Sequence, residues 1–291
     1  MPAPLHHPPT AGPSATPGGA RIHTLPLPPV PSTLLIPLAA RAHGGRYFPQ
    51  LDCADTQAAG LLQQLGADVS AYLADRPTVL NVLWRTRRIR ALAQDFFAAH
   101  PPAWGINLGC GLSQYLQWLP GAAHWLDADL PAVMALRRRL LPTPTARQHS
   151  AAIDLQTPDW WPALQLPPEA LAQPLWAMCE GVLMYLAPAQ VRQVLQEFAD
   201  HAPPGSRLVL DAIAHCGVGQ AGWHASVGRT GAQFHWGIGC LSELTRMHPR
   251  LRLHSSYNVA ECYGWLGLWL EALWRPWIGA PLYTLAVLEV T

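Results

Sequence analysis

The chain has 291 residues, of which 50% are hydrophobic and 13% charged, with a net charge of +1. That length buries a sizeable core as one domain with a small cap, and so even a charge balance excludes a broad basic face for nucleic acid. All nineteen residues counted as Lys or Arg are arginine, which excludes a Schiff-base lysine and the lysine-bearing phosphate loop.

The six cysteines are scattered without a C-x-x-C pair. They read as free thiols of a reducing compartment, hence a cytoplasmic protein, and not as a disulfide frame or zinc site. Thirteen histidines show no H-E-x-x-H and no pair at ligand spacing, so no metal site is expected. No apolar run reaches the ~18 residues of a membrane span.

In chain order, residues 1–31 are rich in Pro, Gly, Ala, Ser and Thr and are expected to form a disordered arm. Residues 32–42 imitate a secretion signal, but they lie too far in and are broken by Pro37. They read as the helix that opens the folded domain, residues 32–291. Residues 52–75 look helical with a break near Gly66. After Arg85, the apolar residues Ile89, Leu92, Phe96 and Phe97 fall on one helical face, with Arg85 at the helix start and off that face. Composition alone reads residues 85–90 as a solvated charged face. Residues 32–100 thus make a helical cap.

Apolar runs at 105–110, 123–129, 147–154, 175–182, 206–213, 251–258 and 281–290 predict seven strands with helices between them. Pro131 is placed to open one helix, with Val133, Leu136, Leu140 and Leu141 inward. Arg137, Arg138 and Arg139 close it, where cations suit the helix dipole. Pro188 opens another, with Val191, Val194, Leu195 and Phe198 inward. The alternation predicts an α/β fold with a doubly wound, mostly parallel sheet that binds ligands at its strand ends. Residues 214–240 break the rhythm with glycines, Trp223, His224, Phe234, His235 and Trp236, as a lid or substrate wall would. The Trp-rich stretch from Trp265 to Trp277 reads either as packing against the sheet or as an oligomer face or substrate channel.

The chemistry concentrates at Gly105-Ile106-Asn107-Leu108-Gly109-Cys110-Gly111, followed by Asp127 and Asp129. Glycine lets a ligand approach the main chain, and an acid at the next strand tip can accept both hydroxyls of a ribose. A dinucleotide fingerprint would place a third glycine where Gln114 stands, which counts against a nicotinamide oxidoreductase. Asp127 and Asp129 share one strand face, so the residues alone leave either as the ribose acid.

These motifs, with Arg85-Thr86-Arg87, Asp129-Leu130-Pro131, the run from Glu180 to Leu186 and Phe234-His235-Trp236-Gly237, resemble the leucine carboxyl methyltransferase family. That family is S-adenosylmethionine-dependent, and the resemblance is to its bacterial branch of polyketide and natural-product carboxyl O-methyltransferases of the tetracenomycin type. It implies a seven-stranded Rossmann-like methyltransferase sheet with a helical N-terminal cap and a lid insertion. It implies S-adenosyl-L-methionine as cofactor, with Arg85, and Arg41 in place of a lysine, on the cofactor's carboxylate. Gly109 would lie against the cofactor, Asp129 would hold the ribose, Asp154 and Leu155 the adenine, and Glu180 the amino group or sulfonium. One departure is Ser113-Gln114-Tyr115, where the bacterial branch often has aspartate-threonine-arginine.

The acceptor implied is a small-molecule or peptide carboxylic acid, already ionised at neutral pH and needing no base. A phenol or alcohol acceptor would need one, with His235 or His215 as the candidate. A cofactor-binding protein without catalysis is the remaining alternative. Candidate acceptor contacts are Tyr185, Trp223, His235 and Trp236. Oligomeric state is open.

Overall fold

A computed structural model describes residues 28–291. Seven strands, β1 (Trp104–Leu108), β2 (His124–Asp129), β3 (Gln148–Ala152), β4 (Trp176–Cys179), β5 (Arg207–Ile213), β6 (Leu251–Asn258) and β7 (Tyr283–Val290), form one sheet. Its order is β3-β2-β1-β4-β5-β7-β6. The first five run parallel, while β7 lies antiparallel between β5 and β6. Every predicted apolar run falls on a strand, and the sheet is the mostly parallel one expected.

Side chains alternate between two cores, as the two-residue period of a strand requires. In β4, Ala177 and Cys179 enter the core with Val194, Leu195 and Phe198. Trp176 and Met178 enter the other, with Leu83, Ile89, Phe96 and Phe97. The two helices supplying these partners are therefore on opposite faces of the sheet, the doubly wound arrangement.

The helices are α1 (Pro29–Ser32), α2 (Leu35–His43), α3 (Ala58–Leu65), α4 (Ser70–Ala74), α5 (Arg76–Ala99), α6 (Pro131–Leu140), α7 (Pro188–His201), α8 (Ser242–Arg246) and α9 (Gly264–Ile278). Pro131 and Pro188 open α6 and α7 as predicted. The arm expected over residues 1–31 lies outside the described residues up to residue 27, and its last residues enter α1, where Pro31 is buried. Gly66, at φ +60°, ends α3 and separates it from α4.

The helix expected to start at Arg85 starts nine residues earlier, at Arg76. Asp75 caps it by accepting the Thr78 N–H at 3.3 Å, and Pro77 occupies its first turn. Arg85 is therefore in mid-helix and 7% exposed, so the solvated-face reading fails for it and holds for Arg87, which is exposed.

Two smaller clusters place the cap. Leu38 of α2 and Leu61, Leu62 and Leu65 of α3 pack with Val133, Leu136 and Leu140 of α6. Ile36 of α2 packs with Met184, Ala221, Val227, Ala232 and Phe234, so cap and lid residues share one apolar cluster.

Gly105 marks the closest approach of β1 to its neighbours. A Cβ there would stand 2.2 Å from Cε3 of Trp125 and 3.1 Å from Cζ of Phe97. Gly105→Ala is expected to lower stability by about 1–3 kcal/mol through overpacking, read from the urea unfolding midpoint.

Candidate active site

Strand order reverses between β1 and β4: the chain winds outward from β1 through β2 to β3, then returns to β4 and winds the other way. Such switch points open a crevice at the carboxyl ends of the strands. A cavity of about 740 Å³ lies there, bounded by the ends of β1 to β4, by α1, α2 and α5, and by lid residues from His224 to His235.

The turn after β1 is built on two glycines in the left-handed region, Gly109 at φ +70° and Gly111 at φ +50°. The Gly109 N–H donates to the Ala128 carbonyl at 2.8 Å. A Cβ at Gly109 would stand 2.3 Å from Cγ2 of Val182. Only glycine satisfies both the angle and the space.

The two aspartates of β2 separate at this turn. Asp129 lines the cavity; its carboxylate accepts the Gly111 N–H at 2.7 Å and the Leu130 N–H at 2.7 Å. Asp127 does not line the cavity. It accepts from Arg137 Nη2 at 2.5 Å, Trp125 Nε1 at 2.9 Å and Asn107 Nδ2 at 3.3 Å. Nη1 of Arg137 donates to the carbonyls of Gly111 and Ser113, both at 2.8 Å. Asp127 and Arg137 therefore fix the turn while Asp129 faces the crevice. Burial raises both aspartate pKa values, with Arg137 opposing at Asp127 and the two backbone N–H groups opposing at Asp129.

Arg137 stands in the last turn of α6, as expected, but it is turned inward. At about 100° per residue it falls between Val133 and Leu141, at the edge of the inward face, and it is 6% exposed.

Beyond β3, Asp154 and Leu155 line the cavity. Asp154 accepts the Gln156 N–H at 2.9 Å, an Asx turn that fixes the loop.

Past β4, a buried network surrounds Arg85. Nε donates to Glu180 Oε1 at 2.7 Å, and Nη1 donates to Asp211 Oδ2 at 3.1 Å and to the Tyr283 hydroxyl. The Tyr115 hydroxyl donates to Glu180 Oε2 at 2.7 Å. The Gly181 N–H donates to Asp211 Oδ1 at 2.7 Å. Burial works against the Arg85 charge, but Glu180 and Asp211 outweigh it and hold its pKa above the ordinary value. Burial likewise raises Asp211, against the pull of Arg85. Arg85 Nη2 makes no hydrogen bond to Glu180 or Asp211 and lies 3.6 Å from where a Cβ on Gly181 would be. Arg41 lines the cavity too, its Nε on Asp55 at 3.1 Å.

The predicted acceptor residues divide. Tyr185 and His235 line the cavity, and the Tyr185 ring stands 5.6 Å from that of Phe234. Burial raises the Tyr185 pKa to about 12. Trp223 is 89% exposed and Trp236 only 4% exposed, within the main core, and neither lines the cavity. The reason is local. Burial alternates along this segment, with His235 exposed between the buried Phe234 and Trp236, and the cavity lining stops at His235. His215 is exposed and outside the cavity.

His224 lines the cavity and was not singled out as a site residue. Its Nδ1 accepts the Val227 N–H at 3.2 Å, and its Nε2 lies 3.4 Å from Thr78 Oγ1. Thr78 Oγ1 and Ser226 Oγ each donate to Asp75 Oδ2 at 2.7 Å. The lid is thereby latched to the N-terminus of α5. The capping pattern of Asp75 and Thr78 is visible in sequence, but its lid partner 146 residues beyond Thr78 is not.

The profile of a family described as leucine carboxyl methyltransferase matches residues 38–199. The tetracenomycin polyketide synthesis O-methyltransferase TcmP of Streptomyces glaucescens is 30% identical over 240 residues, 82% of this chain and 86% of that protein. The S-adenosyl-L-methionine-dependent methyltransferase dpfgK of Gibberella zeae is 26% identical over 254 residues, 81% of this chain and 84% of that protein. A solved structure from Thermobifida fusca shares the fold with a TM-score of 0.51 at 19% identity, over 90% of this chain and 93% of its own.

Burial lowers the pKa of His224 below its ordinary 6.5, with Asp75 opposing. The unfolded chain therefore binds the proton more readily, and the ring's contribution is present above pH 6.5 and lost as pH falls through the depressed value. His224→Leu is expected to cost about 1 kcal/mol at pH 8 through its lost hydrogen bonds. Urea unfolding of both proteins at pH 8 and pH 5 should show a smaller difference at the lower pH.

Proposed function

The chain belongs to the leucine carboxyl methyltransferase family, and from that premise we propose that it methylates a carboxylate oxygen of an apolar natural-product acid. It is an S-adenosylmethionine-dependent methyltransferase, and the residues fit that cofactor. Gly109 lines the cavity with bare backbone, a Cβ there being excluded by Val182, which suits close approach of a ligand to the main chain. Glu180 and Asp211 together carry more negative charge than Arg85 neutralises, which suits an ammonium or sulfonium group.

In this reading Asp129 accepts the ribose hydroxyls, and Asp154 and Leu155 meet the adenine. The Nη2 group of Arg85 turns to the amino-acid carboxylate, with Arg41 adding a second cation. Glu180 lies by the amine. When bound, S-adenosylmethionine supplies a methyl group on a sulfonium that is already activated for in-line displacement. The chain's own work is to align the acceptor and to exclude water. Ile36, Met184, Val227 and Phe234 supply an apolar wall for this.

One observation removes His224 as a base for a hydroxyl acceptor. The Val227 N–H fills Nδ1 of His224, so the neutral ring carries its proton on Nε2. That nitrogen faces Thr78 Oγ1, whose own proton goes to Asp75, so it donates there and cannot take a proton from a hydroxyl. His235 is the base that the hydroxyl reading would use.

The test is transfer of labelled methyl to a panel of aromatic and polyketide-like acids. A carboxyl product is an ester and should release methanol in alkali, whereas an alkali-stable product would overturn this reading in favour of a hydroxyl acceptor. Turnover of an acid should stay flat from about pH 6 to 9, because a carboxylate of pKa near 4 is ionised throughout. A phenol of pKa near 10 would give a rate rising about tenfold per pH unit.

The two acids of β2 should also separate by experiment. Asp129→Ala is expected to weaken S-adenosylhomocysteine about 10- to 100-fold in a calorimetric titration, the worth of hydrogen bonds to a charged group. Asp127→Ala should instead cost about 3–5 kcal/mol of stability, because it leaves Arg137 buried and unpaired.

A further inference from the structure

Helix α9 is apolar on nearly every side and wet on nearly every side. Of its 15 residues only Glu271 is buried. Trp265, Trp269, Trp274 and Trp277 are 78%, 54%, 60% and 87% exposed. The helix is rooted at its start, where Glu261 meets Arg88 at 3.1 Å and Cys262 Sγ meets Asn81 Oδ1 at 3.0 Å, and by Glu271, which accepts from Asn258. A surface helix of a monomer shows one apolar stripe and one polar face; α9 has no polar face. The expectation that this stretch packs against the sheet is thereby corrected: its tryptophans point outward.

The area is large. At about 220 Å² for a whole tryptophan side chain, the four expose on the order of 600 Å². The exposed leucines of the same patch bring this to about 1,000 Å². A stable protein interface buries about 800 Å² on each partner. We propose that α9 is the interface of a homodimer, in which the α9 of a second copy covers it.

Two features favour a second copy. The only charged residues of α9 are the buried Glu271 and Arg275, so two such helices meet without like-charge repulsion. A two-fold contact needs a patch that matches itself, and tryptophan and leucine on all sides do so in any register. A bilayer surface fits less well, because a helix lying in it has a charged face toward water and flanking cations, and α9 offers no charged face and no exposed cation besides Arg275.

Sedimentation equilibrium of the full chain at about 10 µM tests this, a concentration at which an interface of that area is formed. The expected mass is twice the 31.7 kDa of the chain. The variant carrying Trp269→Glu and Trp274→Glu should sediment as the single chain, its dissociation constant raised at least ~100-fold as for paired hot-spot tryptophans. Its circular dichroism should match the wild type, because both side chains stand off the body.

A wild-type chain that sediments as a monomer overturns the proposal, as does a dimer that persists in the variant. A monomer that floats with phosphatidylcholine–phosphatidylglycerol vesicles would assign the helix to a membrane surface. A monomer whose tryptophan emission shifts to the red only when residues 1–27 are deleted would assign it to the chain's own N-terminal segment. Either result overturns the dimer.

Discussion

The guanidinium of Arg85 lies where α5, the loop after β4, β5 and β7 meet, and it holds them through Glu180, Asp211 and Tyr283. A buried charge is tolerable only when its donors and partners are satisfied. Removing any member leaves another exposed to that cost. The same requirement positions the site: Asp211 fixes the Gly181 N–H, Gly181 follows Glu180, and Val182 packs against the Gly109 turn. The cavity wall and the stability of the fold thus draw on one set of charges.

The second constraint is the pairing of Asp127 with Arg137 beneath the glycine turn. It leaves the two aspartates of one strand with different work. Asp127 is enclosed by Asn107, Trp125 and Arg137 and stabilises the turn. Asp129 sits one strand period further on, at the open end, and spends one lone pair of each oxygen on backbone N–H groups. Their alternation is too coarse to tell them apart, since both lie on one face. The helix that supplies Arg137 decides.

Sequence reasoning reached what short-range patterns determine. The apolar runs gave the strands, because each is bounded by turn residues and the central ones are buried on two faces. Pro131 and Pro188 gave helix starts because proline fits a first turn and nothing later. The glycine turn followed from spacing along one β-α-β unit, which left Asp127 and Asp129 open; the family resemblance chose Asp129. The losses were contacts between distant segments. Nothing local to His224 points to Thr78 or Asp75. Trp223 and Trp236 look equivalent in composition, yet one is in water and the other in the core. Arg137 is different, because the helical wheel already carried its inward position. Its charge masked the signal. For α9, the apolar residues were legible, but a wheel with no polar side gives no direction in which to pack.

The position of β7 bears on how the protein is made. It is the last strand in the chain, yet it lies inside the sheet, between β5 and β6. Tyr283, its first residue, closes a network around a guanidinium 198 positions earlier. Strands β1 to β5 can pair as they emerge during synthesis, but β6 has no partner until β7 arrives. Until then β5 presents an open edge, and Arg85 and Asp211 lack their tyrosine. Long-range pairing of this kind is slow and exposes strand edges to other chains. The crevice therefore takes its final form only after nearly all the described chain has been synthesised, and a nascent chain halted before Tyr283 would present an open β5 edge beside an ion-pair network that lacks its tyrosine.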